Sequence, residues 1–429
     1  ALLLWAYYEP AIKPLVGDEY TYNERARALL AGNSTPSAFI WPPAQDWFVA
    51  ALYAVSGAKL WLLQLVQTGL LACCGVLLFR IWSNLAGTRA AMFASALFLL
   101  NPATLAYAHW LWPEVTHLTC LLLALDLLLS RQPPTHWRAL GAGLAIATAL
   151  LLKSLLSALW PVFFLFFLHR EASRWRFAWS AAAWFALGLL LPLLPVLWQG
   201  YQQTGRPLIA DSSIYNLHVG LNDTSRSDYI NEAGGPALAA FIASAPTPAE
   251  RNAIYRQKIA DQVAERGLIR SVLNQLGTQY FRLFNAKSLL VSQFPGAQCA
   301  GHMGAYQASP SLPLLTGLSY SAHALTLLLA AFGIALWRAW RRPLAWFAGV
   351  FFLYQLALYL GLHVMQRYVF QMMPFLCGFG GSFLAACGAR DDHSTTLVFT
   401  WPRLLLGAIL ATLLLGLAFL GPALDRSCG

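Results

Sequence analysis

The sequence predicts an all-α polytopic membrane protein, and three observations predict it. Hydrophobic residues fill 58% of the 429 positions and charged residues only 11%, where a soluble domain carries about 25% charged residues. Mean hydropathy is +0.54 over the whole length, which one core inside a wetted surface cannot accommodate. Apolar runs near the ~20 residues that span a bilayer recur from end to end, with arginines gathered in the short loops between them. The same composition excludes intrinsic disorder.

Taken in order, the chain opens in an apolar stretch, Ala1 to Tyr8, too short to span. It reads as the outer end of a first helix rather than a signal peptide. A polar first outer loop, 9–59, comes next. Further spans are expected at roughly 60–79, 90–107, 113–129, 139–152, 154–168, 177–198, 314–336, 344–361, 369–389 and 403–420, about eleven in all. The runs 139–152 and 154–168 are short and read as two half-length helices meeting at Lys153.

Arginines in alternate short loops fix the orientation. Arg80, Arg89, Arg131, Arg138, Arg170, Arg174, Arg176, Arg338, Arg341, Arg342, Arg390 and Arg403 fall in one set of loops, which is therefore cytoplasmic. The opposite short turns offer Lys153 and Arg367. The organisation expected is an N-terminal transmembrane module over 1–198, an extracytoplasmic loop domain over 199–313, and C-terminal transmembrane helices over 314–429.

Within the long loop, Thr247-Pro248-Ala249-Glu250 reads as a capping box with proline at the first helical position. Ile254, Ile259, Val263, Leu268, Ile269, Val272, Leu273 and Leu276 then recur at roughly helical spacing among Arg251, Arg256, Lys258, Arg266 and Arg270. This amphipathic basic helix suits the outer membrane–water interface and suits packing on its own loop domain equally well.

The net charge of +10 does not point to nucleic acid. Only five of the 28 basic residues are lysines, and no basic run is interleaved with aromatics as a nucleic-acid groove requires. Of seven cysteines, five lie in apolar runs as small hydrophobes, and no C-x-x-C pattern exists. Cys299 and Cys428 lie in polar segments and are a candidate disulfide on the oxidising side.

The chemistry-bearing signal is sidedness. Asp18 and Glu19 come after the first span, Asp46 after Trp41-Pro42-Pro43, and Glu114, Lys153 and Arg367 each occupy an outer turn. Each alone has a plain reading: a solvated loop pair, a carboxylate favoured by a helix N-terminus, a lysine snorkelling to the interface. Together, interfacial charges of both signs on one membrane face suit an anionic substrate and a proton-accepting base. His109, Glu114 and His117 lack an i, i+4 ligand spacing, so no metal site is assigned, although a divalent cation is compatible. Phosphate-binding glycine loops, nucleophile elbows and dinucleotide fingerprints are absent.

At these residues the chain resembles the GT-C fold glycosyltransferases, in the branch of protein O-mannosyltransferases, the aminoarabinose transferase of lipid A and related lipopolysaccharide sugar transferases. Gly17-Asp18-Glu19-Tyr20, leading into Ala28-Leu29-Leu30-Ala31-Gly32, looks like that family's first outer loop, and Pro42-Pro43 with Phe48 to Tyr53 and Gly57 like its Pro-Pro segment. Asn101-Pro102 with Glu114 resembles its second acidic motif, and Ala147 to Lys153 its segment ending in a basic residue. Asn216-Leu217-His218-Val219-Gly220 is similar to its outer-loop Asn/Gly segment, and Gln366-Arg367-Tyr368 with Pro374 to its late Arg-Tyr motif. The match runs in order from about 5 to 380. Trp41 before Pro-Pro, Gln45-Asp46 after it and Ser154 after Lys153 depart from the pattern.

The resemblance implies a GT-C type bundle whose activity is inverting transfer of a sugar from a polyprenyl-phosphate carrier to a hydroxyl of a glycolipid, polysaccharide or protein. It places the site on the outer face of the plasma (inner) membrane, toward the periplasm or cell exterior. Asp18, Glu19 and Glu114 would be the catalytic carboxylates, with Asp18 the general base. Lys153, Arg367 and Tyr368 would hold the donor phosphate, and Tyr22, Asp46 and His363 would contact acceptor or sugar. No cofactor is required. A secondary transporter or lipid flippase, or a polymerase or ligase using a lipid-diphosphate donor, are the alternatives.

Overall fold

The computed structural model describes residues 15, 17–33, 39–130, 133–171, 174–227, 235–286, 311–388 and 396–425. The expected span at 1–8 and the Cys299–Cys428 pairing lie outside them.

Helices α1 (Asp18–Leu30), α2 (Ala44–Ser56), α3 (Leu60–Ala86), α4 (Thr88–Leu99) and α5 (Pro102–Ala106) come first, then a 3-10 turn, Tyr107–His109. Next are α6 (Glu114–Leu129), α7 (His136–Leu152) and two 3-10 runs, Ser154–Leu156 and Trp160–Phe167. An antiparallel hairpin, β1 (Leu168–Glu171) and β2 (Arg174–Phe177), pairs Leu168 with Phe177 and leads into α8 (Trp179–Thr204). The outer-loop region holds α9 (Ser213–Asn222), α10 (Gly235–Ala243), α11 (Pro248–Arg266) and α12 (Leu268–Phe284). The remaining elements are α13 (Ser311–Leu336), α14 (Pro343–Leu360), a 3-10 run (Gln366–Gln371), α15 (Met373–Cys387) and α16 (Trp401–Asp425).

Among the described residues, five helices are long and apolar enough to cross a membrane: α3, α8, α13 from Pro313, α14 and α16. The pair Thr88–Leu99 and Pro102–His109, bent by 58°, makes a sixth if counted as one span. The protein is therefore an integral membrane protein. The bend has a local cause. Asn101 Oδ1 accepts the Ala103 amide at 3.0 Å, and Pro102 takes the first helical position, so a new helix starts where the old one stops. Helices α7 and α15 are apolar but shorter than a full span.

The expected span 154–168 is not an α-helix. Lys153 is extended (φ −155°, ψ 122°), Pro161 removes a backbone donor, and the Trp160–Phe167 run is 3-10. The break at Lys153 is where the sequence puts it. The single amphipathic helix expected after Thr247 is two helices that meet at Gly267. Helix α11 packs into the loop region through Tyr255 against Phe241, with ring centroids 4.8 Å apart. On helix α12 the polar residues Ser271, Gln275, Thr278, Gln279 and Arg282 are buried together with Leu283 and Phe284 near its C-terminal end, while Leu268, Ile269 and Leu273 are exposed.

Contacts divide the chain into two compact units. The first comprises Ala1–Leu77, Tyr107–Ser212 and Thr247–Ala249, the second Leu78–Ala106, Ser213–Pro246 and Glu250–Gly429. In the first, α1 lies on α2 over a core of Ala26, Val49, Ala50, Tyr53, Leu60, Leu63 and Leu111. Helices α7 and α8 approach closely because Gly143 faces Gly188. A Cβ at Gly143 would stand 2.2 Å from the Phe185 carbonyl, and one at Gly188 2.3 Å from that of Leu140. That contact fixes the helix at whose end Lys153 sits. In the second unit α15 packs on α4 and α13. Trp82 donates to Ser382 Oγ at 2.8 Å, and Phe98 lies 6.0 Å from Phe370.

Candidate functional site

In the first unit the segment between the 3-10 turn and α6 is irregular, so its backbone polar groups need partners from elsewhere. Three elements supply them. Glu19 Oε1 on α1 accepts the Leu111 amide at 3.1 Å, and Gln45 Nε2 on α2 donates to the Leu111 carbonyl at 2.9 Å. Gln67 Nε2 on α3 donates to the Trp110 carbonyl at 2.9 Å. Trp110 and Trp112 stack with centroids 4.1 Å apart at 11°. This clamped segment delivers Glu114 to the first turn of α6, where the helix dipole favours its charge.

Glu114 and Lys153, 39 residues apart, are brought together. Lys153 Nζ lies 3.0 Å from Glu114 Oε1, and the lysine side chain is 18% exposed while the glutamate is 1% exposed. The broken backbone after α7 turns the ammonium toward α6, and part of the lysine side chain stays exposed. Asp46 pairs with Arg25 Nη2 at 2.6 Å. Burial pushes the Asp46 carboxyl up to about 6, and the Arg25 charge only partly offsets that. Asp18, Glu19 and Tyr22 share the first turns of α1. Asp18 is half-buried, whereas Glu19 and Tyr22 are buried. Beneath them, Tyr53 Oη donates to Asn23 Oδ1 at 2.8 Å, which ties α1 to α2. No group of three or more His, Cys, Asp or Glu converges as a metal ligand set among the described residues, and His109, Glu114 and His117 form none.

The second unit holds His363, Arg367 and Tyr368. His363 Nδ1 is 3.4 Å from Asp223 Oδ2 and 3.3 Å from Arg282 Nη1, and Arg282 bonds directly to Asp223. Arg282 also donates to the carbonyls of Ser225 at 2.6 Å and Val364 at 3.3 Å. Burial by itself would raise the Asp223 carboxyl, but hydrogen bonds from His363 and Arg282, and their charges, hold it at about 2. Burial pushes the His363 imidazole below its ordinary value, against the pull of Asp223. Gly220 lets this cluster close: a Cβ there would stand 2.9 Å from the His363 amide nitrogen and 3.0 Å from the Leu362 carbonyl carbon. Arg367 is buried, with its guanidinium 5.8 Å from the Tyr368 ring, and Tyr368 stacks on Tyr359 at 5.5 Å and 16°.

Sequence reasoning missed Arg25, Gln67, Asp223 and Arg282. The signal available was a polar residue on a helix flanked by apolar ones, as in Tyr280-Phe281-Arg282-Leu283-Phe284, which says that a partner exists without naming it.

No family model matches the sequence, and no curated protein matches it. Two solved structures match the chain, both of ArnT from Cupriavidus metallidurans. The one bound to undecaprenyl phosphate is 17% identical, with a TM-score of 0.41 over 97% of this chain and 76% of that one. The apo structure is 14% identical, with a TM-score of 0.37 over 89% and 75%.

Proposed function

We propose that the protein is an integral-membrane glycosyltransferase that moves a sugar from a polyprenyl-phosphate carrier to a hydroxyl of a glycolipid, polysaccharide or protein. The single observation that carries this reading is the partly open Lys153–Glu114 ion pair at a helix break, beside a segment clamped by three other helices. The ordered motifs that resemble the GT-C family support it. The site belongs, on this reading, to the outer face of the plasma membrane, facing the periplasm or cell exterior. No nucleic acid takes part.

In the reaction the acceptor oxygen attacks the anomeric carbon as the sugar–phosphate C–O bond breaks, with inversion. Asp18, the half-buried carboxylate at the head of α1, takes the acceptor proton. The leaving phosphate monoester gains a negative charge, and the Lys153 ammonium stabilises that growth. Glu114 orients Lys153 through their 3.0 Å contact. Glu19, which accepts the Leu111 amide, is a positioning residue on this reading. Tyr22 and Asp46 contact the acceptor or sugar on this reading, with Asp46 held by Arg25 at 2.6 Å. For Arg367, Tyr368 and His363 the resemblance implies contacts to donor phosphate and sugar. No cofactor is required by this scheme, and a divalent cation is compatible with it.

The test is Asp18→Asn in the full chain, purified in detergent and supplied with polyprenyl-phosphate sugars. The variant should insert and melt like the parent while transfer falls by about 10²- to 10⁴-fold, the range for loss of a general base. Full activity would remove Asp18 from the mechanism. Turnover of a polyprenyl-diphosphate donor alone would favour the polymerase reading instead.

A further inference from the structure

A cleft of about 300 Å³ lies wholly within the second unit, between the end of α9 and the buried polar face of α12. Ser271, Asn274, Gln275 and Thr278 line it at i, i+3, i+4 and i+7, with Gly220 and Arg266 opposite. This volume is at the lower end of small-molecule sites, which run from about 300 to 1,000 Å³. Gln275 is 4% exposed, and neither its amide oxygen nor its amide nitrogen has a hydrogen-bond partner. A buried polar atom left unmet is costly, so an amide with both ends unmet at the wall of a cleft marks a place where a ligand's groups belong.

The lining specifies the ligand. An amide offers a donor and an acceptor side by side, and a sugar hydroxyl both donates and accepts through one oxygen. Aromatic walls, which a nucleobase or an aromatic ligand would stack on, are absent from the lining. The charge is uneven. Asp223 is held by Arg282, and Arg226 pairs with Asp425 at 3.3 Å. Arg266 donates to the Leu221 carbonyl at 2.7 Å and has no carboxylate partner among the described residues. Its planar fork favours a carboxylate or phosphate.

We propose that this cleft, built by Gln275, Ser271, Asn274 and Arg266 beside Gly220, binds one anionic saccharide unit. The assignment does not depend on the transfer reaction, and Asp18→Asn should leave it intact. Its test is calorimetric binding to the full chain in detergent, using glucuronate, glucose 1-phosphate and glucose as probes. Both acids should saturate the protein and glucose should bind at least about tenfold more weakly, about 1.4 kcal/mol. Gln275→Leu should weaken both acids by about tenfold or more while the melting temperature stays level or rises, because the substitution removes unmet polar atoms. Arg266→Gln should cut the preference for acids over glucose. An oligouronate that competes at lower concentration than glucuronate assigns the ligand to a polymer chain, and monomer binding alone assigns a free sugar. No saturation by either acid below about 10 mM, or unchanged affinity in Gln275→Leu, overturns the proposal.

Discussion

The two units each bury a carboxylate beside a cation, and they do so in opposite styles. In the second unit Arg282 and Asp223 are 1% and 0% exposed, His363 completes the set, and the carbonyls of Val364 and Ser225 accept further bonds from the two terminal guanidinium nitrogens. In the first unit Glu114 is as deeply buried, but its partner Lys153 keeps 18% of its side chain exposed at a helix break. A closed pair whose hydrogen bonds point inward fixes α9, α12 and the 363–364 segment to one another. An open pair has less to give to stability and more to offer a charge arriving from outside. A carboxylate–cation pair thus takes on structural work or candidate chemistry according to how much of the cation is covered.

The largest expected effect breaks the closed pair. Arg282→Met leaves Asp223 buried without its cation, and unfolding stability should fall by about 3–5 kcal/mol, read from chemical or thermal unfolding in detergent. A small change there would mean that the cluster is not the fastener its geometry describes. Lys153→Gln sharpens the contrast from the other side. Transfer should drop by about a hundredfold, as for removal of one charge-stabilising donor, while stability falls less than in Arg282→Met. Equal losses of stability in the two variants would erase the distinction drawn between them.

The smallest effect is expected in the slope of stability with pH. Asp46 is raised from its ordinary value to about 6, so the folded state holds its proton longer than the unfolded chain. Stability should therefore decline as pH rises from about 4 to about 6, and Asp46→Asn should flatten that window. Asp223 runs the other way: depressed to about 2, it contributes stability above about 4 that is lost as pH falls toward 2. Unfolding curves collected across both windows that show no opposite slopes would contradict the pairing of a raised with a lowered carboxylate.

Much of the frame was legible along the chain. Apolar runs marked α3, α8, α13, α14 and α16, and the short runs flanking Lys153 announced a break that the structure keeps. Lys153 and Glu114 were both candidates, from their sidedness and from the motifs that resemble the GT-C family, and the structure brings them into contact. The pattern misjudged the run 154–168, because hydropathy cannot distinguish an α-helix from 3-10 turns when aromatic residues and Pro161 fill the segment. It also could not choose between an interfacial and a packed helix after Thr247, since one stripe of apolar residues fits both until neighbours cover one face. Here α12 turns its polar stripe inward, toward Gly220 and Asp223.

By itself the sequence determined that this chain lives in a membrane, where most of its long helices run, and which ionisable residues lie outside the arginine-rich loops. These are local properties, set by side-chain transfer energies and by proline or glycine at particular positions. Only the tertiary structure decided who meets whom: Glu19 with the backbone 92 residues on, Asp223 with Arg282 59 residues on, Gln275 facing a cleft without a partner. The reason is physical. Burying a polar group requires some complementary group nearby, but many in the chain would serve, and only packing of distant segments selects one.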